Sequence, residues 1–387
     1  MKSVRLFFVA ATVISLAFLA SAFMPQGAHA NPKQLNTGEY PEAFGARCVD
    51  VDYKSKGIEN HSAEGITFAT SPNENGPTNV HIGLYVNEIT EVDESTNSFS
   101  MQGFLDLIWC DPRLSFDPAE VDTDVEIFLE NDAMEELDAI WWPNLDYVNA
   151  VDSISVENLV LLVHPDGTVE YRSKIRGSFS SNFDLRSFPF DEQDFYVEIE
   201  SFEWASDTMV FLAQDGIVGF SEEFHIPEWY VTDISEQIES KKEPRDHSEF
   251  SEFVAKIHVK RDPGVYTTKV MIPLGIIILI SMVVFWMDPG SFEDRLGTAM
   301  TGLLTAVAYQ FIAAENLPKH VYDTYLDSFI LLSFLIIILG IGESAFASWL
   351  IKKDKEEQAR QLDRISRWFM PLLYTGMIIA LYFVYTI

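Results

Sequence analysis

Cysteine is nearly absent from this chain: Cys48 and Cys110 are the two in 387 residues. Two cysteines without histidines at ligand spacing argue against a structural zinc site. They leave room for one disulfide, whose geometry the sequence does not supply. Basic residues are scarce as well, 26 Lys and Arg against 59 Asp and Glu, and a balance of that sign argues against nucleic acid as a partner. An HExxH helix, a Gly-x-Ser-x-Gly elbow and a Gly-rich phosphate loop are all missing, so no enzyme chemistry and no cofactor is indicated. The many carboxylates carry no specificity for hydrolysis, since an acid pair could be drawn from almost any of them.

The charge is distributed unevenly. From Asn31 to Pro263 there are 15 basic and 48 acidic residues, and from Gly264 onward 9 and 11, so the deficit belongs to the first part of the chain. An acidic surface concentrates cations nearby, and it also simply keeps a domain soluble. Residues 1–30 carry Lys2 and Arg5, an apolar run from Leu6 to Phe23, and then Ala28-His29-Ala30. That is the pattern of an exported protein's signal peptide, with an uncleaved anchor helix as the alternative.

After Gly264 four apolar segments long enough to span a bilayer follow one another. They lie at about 265–287, 291–315, 325–351 and 368–387. The connector between the third and fourth holds Lys352, Lys353, Lys355, Arg364 and Arg367, which places it in the cytoplasm and the first part of the chain outside. Glu343, inside the third span, is expected to snorkel to the interface, with a role in gating as the alternative.

Residues 80–263 read as β structure. Val80–Ile89, Gly103–Trp109, Leu159–Val163, Val169–Ile175 and Phe195–Ile199 are short β-branched and aromatic runs separated by turns such as Pro165-Asp166-Gly167. Many short strands at such spacing mean a sandwich or barrel. One helical turn is expected near Asp132–Leu137, and residues 31–79 form an N-terminal extension without clear periodicity. The fold class is therefore a multi-domain β + α membrane protein, an extracellular immunoglobulin-like β-sandwich followed by a four-helix transmembrane bundle.

The second span is unusually rich in Thr, Ala, Gly and Leu. If it is helical, Glu293, Gly297, Thr301, Leu304, Ala308, Phe311 and Glu315 follow at steps of four, four, three, four, three and four and share one face. Around a symmetry axis each position becomes a ring. Acidic rings select cations and apolar constrictions gate by dewetting. Leu304 and Phe311 are the candidate closed barrier, with Gly297 and Thr301 the narrow part when open. The alternative is an ordinary bundle helix whose small residues promote packing.

Phe188-Pro189-Phe190-Asp191-Glu192-Gln193, following Gly177-Ser178-Phe179, resembles the signature loop of pentameric ligand-gated ion channels, the nicotinic-receptor superfamily. Trp109-x-Asp111-x-Arg113-Leu114, Trp142-Pro143-Asn144 with Asn149, Arg261 before Pro263, Pro273, and Asn316-Leu317-Pro318 are similar to further family motifs, in family order from about residue 80 to the end. Eukaryotic members bracket the signature loop with a disulfide. Here Ser181 and Phe195 stand at those places, so the chain resembles the bacterial, cysteine-free form. Its second span, Ser291-Phe292-Glu293-Asp294-Arg295-Leu296 through Ala308-Tyr309, is similar throughout to that of the Erwinia channel type.

The resemblance implies a homopentamer in a bacterial inner membrane that passes monovalent cations, contacts membrane lipid and binds a small-molecule agonist between subunits. By motif position Asp146, Glu200, Phe202 and Phe250 would form one face of that site, and Tyr85 and Phe104 the other. Aromatic rings with carboxylates suit an amine, although similar channels carry an aromatic where this chain has Glu239. Protons are the alternative agonist, since crowded carboxylates can have raised pKa values. The bland reading of Phe104, Phe202 and Phe250 is core packing. Asp191 and Arg261 match positions that pair in the family and, with Pro318, would couple binding to opening. The alternatives are a solvated surface pair and, for the whole chain, a membrane-anchored sensor without a pore.

Overall fold

The computed structural model describes residues 48, 70–73, 76–213, 218–220, 226, 228–242, 248–314 and 322–386. Two compact units divide the chain: one within Ala30–Phe183 and Gln193–Val259, the other within Asp184–Glu192 and Lys260–Ile387. The expected signal peptide, residues 1–30, residues 31–47, 49–69 and 74–75 of the N-terminal extension, Glu315 and Pro318 lie outside the described residues.

The first unit is a β-sandwich. Its larger sheet runs β3-β5-β6-β2-β1-β8, with β9 also paired to β1. These strands are β1 (Thr78–Asp93), β2 (Ser98–Cys110), β3 (Glu126–Leu129), β5 (Ser155–Val163), β6 (Thr168–Ser180), β8 (Met209–Ala213) and β9 (Gly219–Phe220). The smaller sheet runs β10-β11-β7-β4, with β4 (Leu145–Tyr147), β7 (Glu192–Ser201), β10 (Trp229–Lys242) and β11 (Glu249–Arg261). Each expected strand is present and runs past its expected bounds, at its start only in β5, which ends at Val163 as expected, because β propensity marks the apolar middle of a strand better than its polar margins. The expected helical turn near Asp132–Leu137 is the middle of α1 (Glu130–Ala139).

Alternation sets the core. In β7, Gln193, Phe195, Val197, Ile199 and Ser201 are buried while their neighbours face out. Phe195 stacks on Phe99 of β2 at 4.7 Å. Trp109 meets Trp141 edge-on at 6.2 Å. Burial of each such side chain contributes roughly 1.5–3 kcal/mol.

The family-like motifs are local fasteners. Asp111, fully buried, takes two bonds from Arg113, Nε at 2.8 Å and Nη2 at 2.7 Å. Gly167 closes the β5–β6 turn at φ +85°, where a Cβ would strike the Asp111 carbonyl. Asn149 donates to the Tyr196 carbonyl at 2.7 Å and accepts from the Glu198 amide at 3.0 Å. At the ends of the signature loop Ser181 Oγ donates to the Asp194 carbonyl at 2.7 Å. Cys48 and Cys110 form a disulfide, Cα to Cα 5.5 Å, that closes a 62-residue separation. In chain-entropy terms a closure of that length contributes about 4 kcal/mol.

The second unit holds four helices long and apolar enough to cross a membrane: α2 (Gly264–Trp286), α3 (Phe292–Ala314), α4 (Tyr325–Lys352) and α5 (Glu356–Thr386). One π-helical turn, Thr267–Met271, interrupts α2 before Pro273. The fourth helix starts earlier than the apolar run from 368 suggests. Its first turns are charged and pair internally, as Arg360 does with Glu356 at 2.6 Å, so hydropathy alone misses them. Glu343 does not snorkel. It is buried, and its Oε2 accepts from Arg295 Nη2 at 2.8 Å.

Small residues let α3 approach α2. At Gly302 a Cβ would fall on Ser281 Oγ. Gly302→Ala is expected to destabilise the detergent-solubilised protein by roughly 1–3 kcal/mol, the usual cost of overpacking, as a lowered thermal midpoint. Adding Ser281→Gly should recover most of the loss. A midpoint unchanged by Gly302→Ala would contradict this packing.

Candidate functional site

Three surfaces carry the chemistry. On α3, Arg295, Ala299, Ala306 and Ala313 are buried. With Gly302 they form one narrow stripe. Glu293, Gly297, Thr301, Leu304, Ala308 and Phe311 are all exposed in the single chain, with Leu304 at 71% and Phe311 at 73%. At about 100° per residue, Leu304 lies roughly 180° and Phe311 roughly 160° around the helix from Arg295. The hydroxyls of Thr298, Thr301 and Thr305 each bond the carbonyl four residues earlier at 2.8 Å. They are satisfied within the helix and need no neighbour to pair with.

In the sandwich, strand register brings the candidate ligand residues together in pairs. Asp146 of β4 lies directly opposite Glu200 of β7. Tyr85 of β1 lies directly opposite Phe104 of β2. Phe202, just past β7, is 69% exposed and Phe104 41%, so neither is a core residue of this chain. Phe250, at the start of β11, is half-buried. The two pairs belong to different sheets of one chain.

Near Glu200 a lysine already occupies the carboxylates. Lys241 Nζ bonds Glu252 Oε1 at 2.7 Å and lies 3.7 Å from Glu198 Oε2. Burial opposes its charge, but Glu252, Glu198 and Glu200 outweigh that and hold its pKa above the usual lysine range. Burial pushes the Glu252 carboxyl up, with Lys241 opposing and Glu198 and Glu239 adding to it.

On the larger sheet Asp106 faces out two residues from Phe104, opposite Gly83 of β1 and Arg172 of β6. Burial pushes its pKa up to about 6; Arg172 opposes this and Glu170 adds to it. Arg172 Nε is 3.9 Å from Asp106, and its Nη2 is 2.8 Å from Glu170, which also binds His164 at 2.9 Å. Sequence reading missed Lys241, Glu252 and Asp106, because isolated charges in strands give no signal until register shows what they oppose.

The third surface is the signature loop. Asp191 and Arg261 are buried and bonded, Oδ1 to Nε at 2.8 Å and Oδ2 to Nη2 at 3.2 Å, and the Arg261 amide donates to the Asp191 carbonyl at 3.1 Å. The solvated-pair reading is therefore wrong: burial of β11's last residue removes both from water. The guanidinium also lies over the Phe188 ring at 4.8 Å. The loop packs on the helices of its own unit. Phe188 meets Tyr266 at 4.6 Å, and Phe190 meets Tyr325 at 5.4 Å and Tyr382 at 5.5 Å. The Leu185 amide donates to Tyr322 Oη at 2.9 Å, and the Tyr325 amide to the Arg186 carbonyl at 2.8 Å. Among the described residues no group of His, Cys, Asp and Glu is arranged to hold a metal ion.

A β-sandwich followed by four membrane-length helices, with a structured loop built into the helical unit, defines a membrane protein of the receptor type. Residues 60–263 match the neurotransmitter-gated ion-channel ligand binding domain and residues 270–359 the neurotransmitter-gated ion-channel transmembrane region. The chain belongs to the neurotransmitter-gated ion-channel family. It is 24% identical over 309 residues to a proton-gated ion channel of Gloeobacter violaceus, covering 80% of this chain and 84% of that protein. It is 25% identical over 298 residues to the gamma-aminobutyric acid receptor subunit beta-4 of Gallus gallus, 75% of this chain and 59% of that one. With the theta subunit of Mus musculus it shares 26% over 285 residues, 72% of this chain and 43% of the relative.

Two outcomes follow from this geometry. Arg261→Met removes the guanidinium that faces the buried Asp191 carboxylate and is expected to cost about 3–5 kcal/mol, as breaking a buried pair does. Arg261→Met with Asp191→Leu should cost clearly less, and additive losses in a thermal double-mutant cycle would refute the pairing. For Asp106 the folded pKa, about 6, lies above its ordinary 3.8. Its contribution is thus fully present below the unfolded pKa and is lost as pH rises through about 6. The Asp106 part of the stability should fall as pH rises from 4 to 7, so the native protein should lose more stability over that range than Asp106→Asn does in parallel thermal melts.

Proposed function

We propose that copies of this chain assemble as a homopentamer around a cation-conducting pore lined by α3, in a bacterial inner membrane with the sandwich on the periplasmic side. The observation that carries the reading is the division of α3 into a buried small-residue stripe and, about half a turn away, an exposed face of different chemistry. A helix that presents Leu304 and Phe311 outward together with Glu293, Gly297 and Thr301 suits an axis where water and apolar constriction alternate. Glu293 forms the acidic ring at the cytoplasmic mouth and Glu315 one at the outer mouth, favouring monovalent cations. Leu304 and Phe311 form the closed barrier, and Gly297 and Thr301 the narrow part when open. Membrane lipid covers the apolar outer faces of α2, α4 and α5. Ser181 and Phe195 at the ends of the signature loop support placement with the bacterial form that lacks the loop disulfide, and the second-span run from Ser291 to Tyr309 supports likeness to the Erwinia type.

Agonist binds between sandwiches of adjacent copies, with Asp146, Glu200, Phe202 and Phe250 from one and Tyr85 and Phe104 from the next. The cross-strand pairs support a site for a cationic amine, since carboxylates and ring faces both attract ammonium. A proton agonist is the second reading, favoured by Asp106, which titrates near pH 6, and by the likeness to a channel named as proton-gated. Asp191, Arg261 and Pro318 transmit binding to the helices. A sensor without a pore would not need the exposed face of α3.

Currents from purified protein in planar bilayers, across an amine series and a pH series, test the reading. Glu293→Ala should move the reversal potential in a salt gradient toward zero while leaving assembly intact. An unchanged reversal potential removes Glu293 from selectivity, and absence of current from the native protein under every condition favours the sensor.

A further inference from the structure

The buried stripe of α3 raises a mechanical problem. Ala299, Gly302, Ala306 and Ala313 allow close approach to neighbouring helices, but so smooth a surface gives little resistance to rotation about the helix axis. The large apolar side chains of α3 seat none of themselves fully: Met300, Leu304, Phe311 and Ile312 are exposed at several angles, and Leu296, Leu303 and Val307 are half-buried. Two side chains do make directional contacts with other helices. Tyr309 Oη donates to the Lys269 carbonyl in the π-helical turn of α2. Arg295, fully buried, makes a fork of bonds to two helices at once. Its Nη1 lies 3.1 and 3.3 Å from the two Asp363 oxygens, and its Nη2 lies 3.1 Å from Asp363 Oδ1 and 2.8 Å from Glu343 Oε2.

Taking three charged groups out of water costs several kcal/mol per ion, and an apolar trio of similar volume often stabilises as well or better. The best-attested use of such a group is to fix register, because a planar guanidinium accepts few geometries. Here the two acceptors come from different helices, Glu343 from α4 and Asp363 from the charged first turns of α5. A rotation of α3 in either direction breaks bonds to both.

Glu293 and Gly297 flank Arg295 by two residues on either side, so each lies roughly 200° around the helix from it. Holding Arg295 inward therefore holds these two outward. We infer that Arg295, Glu343 and Asp363 form the rotational lock of α3: positioning residues that aim Glu293 and Gly297 at the open face, and so make that face depend on the last helix of the chain. This rests on the pore reading above, and the experiment separates the two.

Single cysteines are placed at Gly297, Thr298, Thr301 and Leu304 of the full chain in liposomes, and labelling by a membrane-impermeant thiol reagent present on both faces of the bilayer is timed without agonist, so that positions below the closed barrier are reached from the cytoplasmic mouth. In the native background Thr301→Cys and Leu304→Cys should label and Gly297→Cys should outpace Thr298→Cys. Failure of Thr301→Cys and Leu304→Cys to label sinks the pore reading itself. With Asp363→Asn or Glu343→Gln, the Gly297 to Thr298 rate ratio should fall roughly tenfold, the change that about 1.4 kcal/mol of lost preference produces. If labelling at Thr301 and Leu304 persists and the ratio does not move, the lock is wrong and the pore stands. Should those variants not assemble, the ratio is read in Asp363→Glu, which keeps the charge but displaces the guanidinium. A shifted ratio there supports the lock, and an unshifted one overturns it.

Discussion

A guanidinium removed from water has to find carboxylates, and the helical unit meets that requirement twice. Arg261 ends β11 and is held by Asp191 of the signature loop; Arg295 lies in the first turn of α3 and is held by Glu343 and Asp363. In both cases the partners come from segments far apart in sequence, so each ion group fixes a tertiary relation that apolar packing leaves open. Apolar contacts supply the bulk of the stabilisation, because they cover far more area. They are non-directional, and the functional surfaces depend on direction. The buried ion groups give direction where small or aromatic side chains alone would slide.

The sandwich solves a different problem. A β-strand alternates its side chains, so a residue reaches the outer face only if the register with its neighbour is right, and a slip of one residue sends it inward. The uninterrupted pairing of β2 with β6 from Ser98–Ser180 to Cys110–Thr168 protects that register. It lets the outer face of the larger sheet carry Phe104, Asp106, Arg172 and Glu170 beside one another over an interior of Phe, Leu, Val and Trp. On the smaller sheet the same device sets Asp146 beside Glu200, with Lys241 among the acids nearby. Charged residues crowd there because the inner face has taken the apolar ones.

Much of this was legible in the amino-acid order. The four apolar segments and the short strands announce the architecture, since hydropathy and alternation are local properties. The face from Glu293 to Phe311 was readable because helical periodicity needs one parameter. The partners of Arg295 were not. Glu343 read as a snorkelling charge and Asp363 as part of a soluble connector, because nothing in a linear chain says that three helices bring them within hydrogen-bonding distance. The start of α5 was missed for a related reason: helix continuity through Glu356–Arg367 is supported by charge pairing, and hydropathy registers only the apolar stretch beyond. Asp106 and Lys241 were silent until strand register revealed what stands across from them. The disulfide was permitted by composition, but only the 5.5 Å approach of Cys48 and Cys110 decides it.

The signature loop, Asp184–Glu192, is inserted in the chain between two sandwich strands yet is counted by its packing with the helices. The boundary between the two modules is therefore not a single peptide bond near Pro263 but three crossings, one on each side of the loop and one near the end of β11. Anyone transplanting this receptor head onto a foreign bundle of helices by a single cut would carry the loop with the wrong partner. A graft that respects the molecule's own seams leaves those nine residues with the helices, in three splices rather than one.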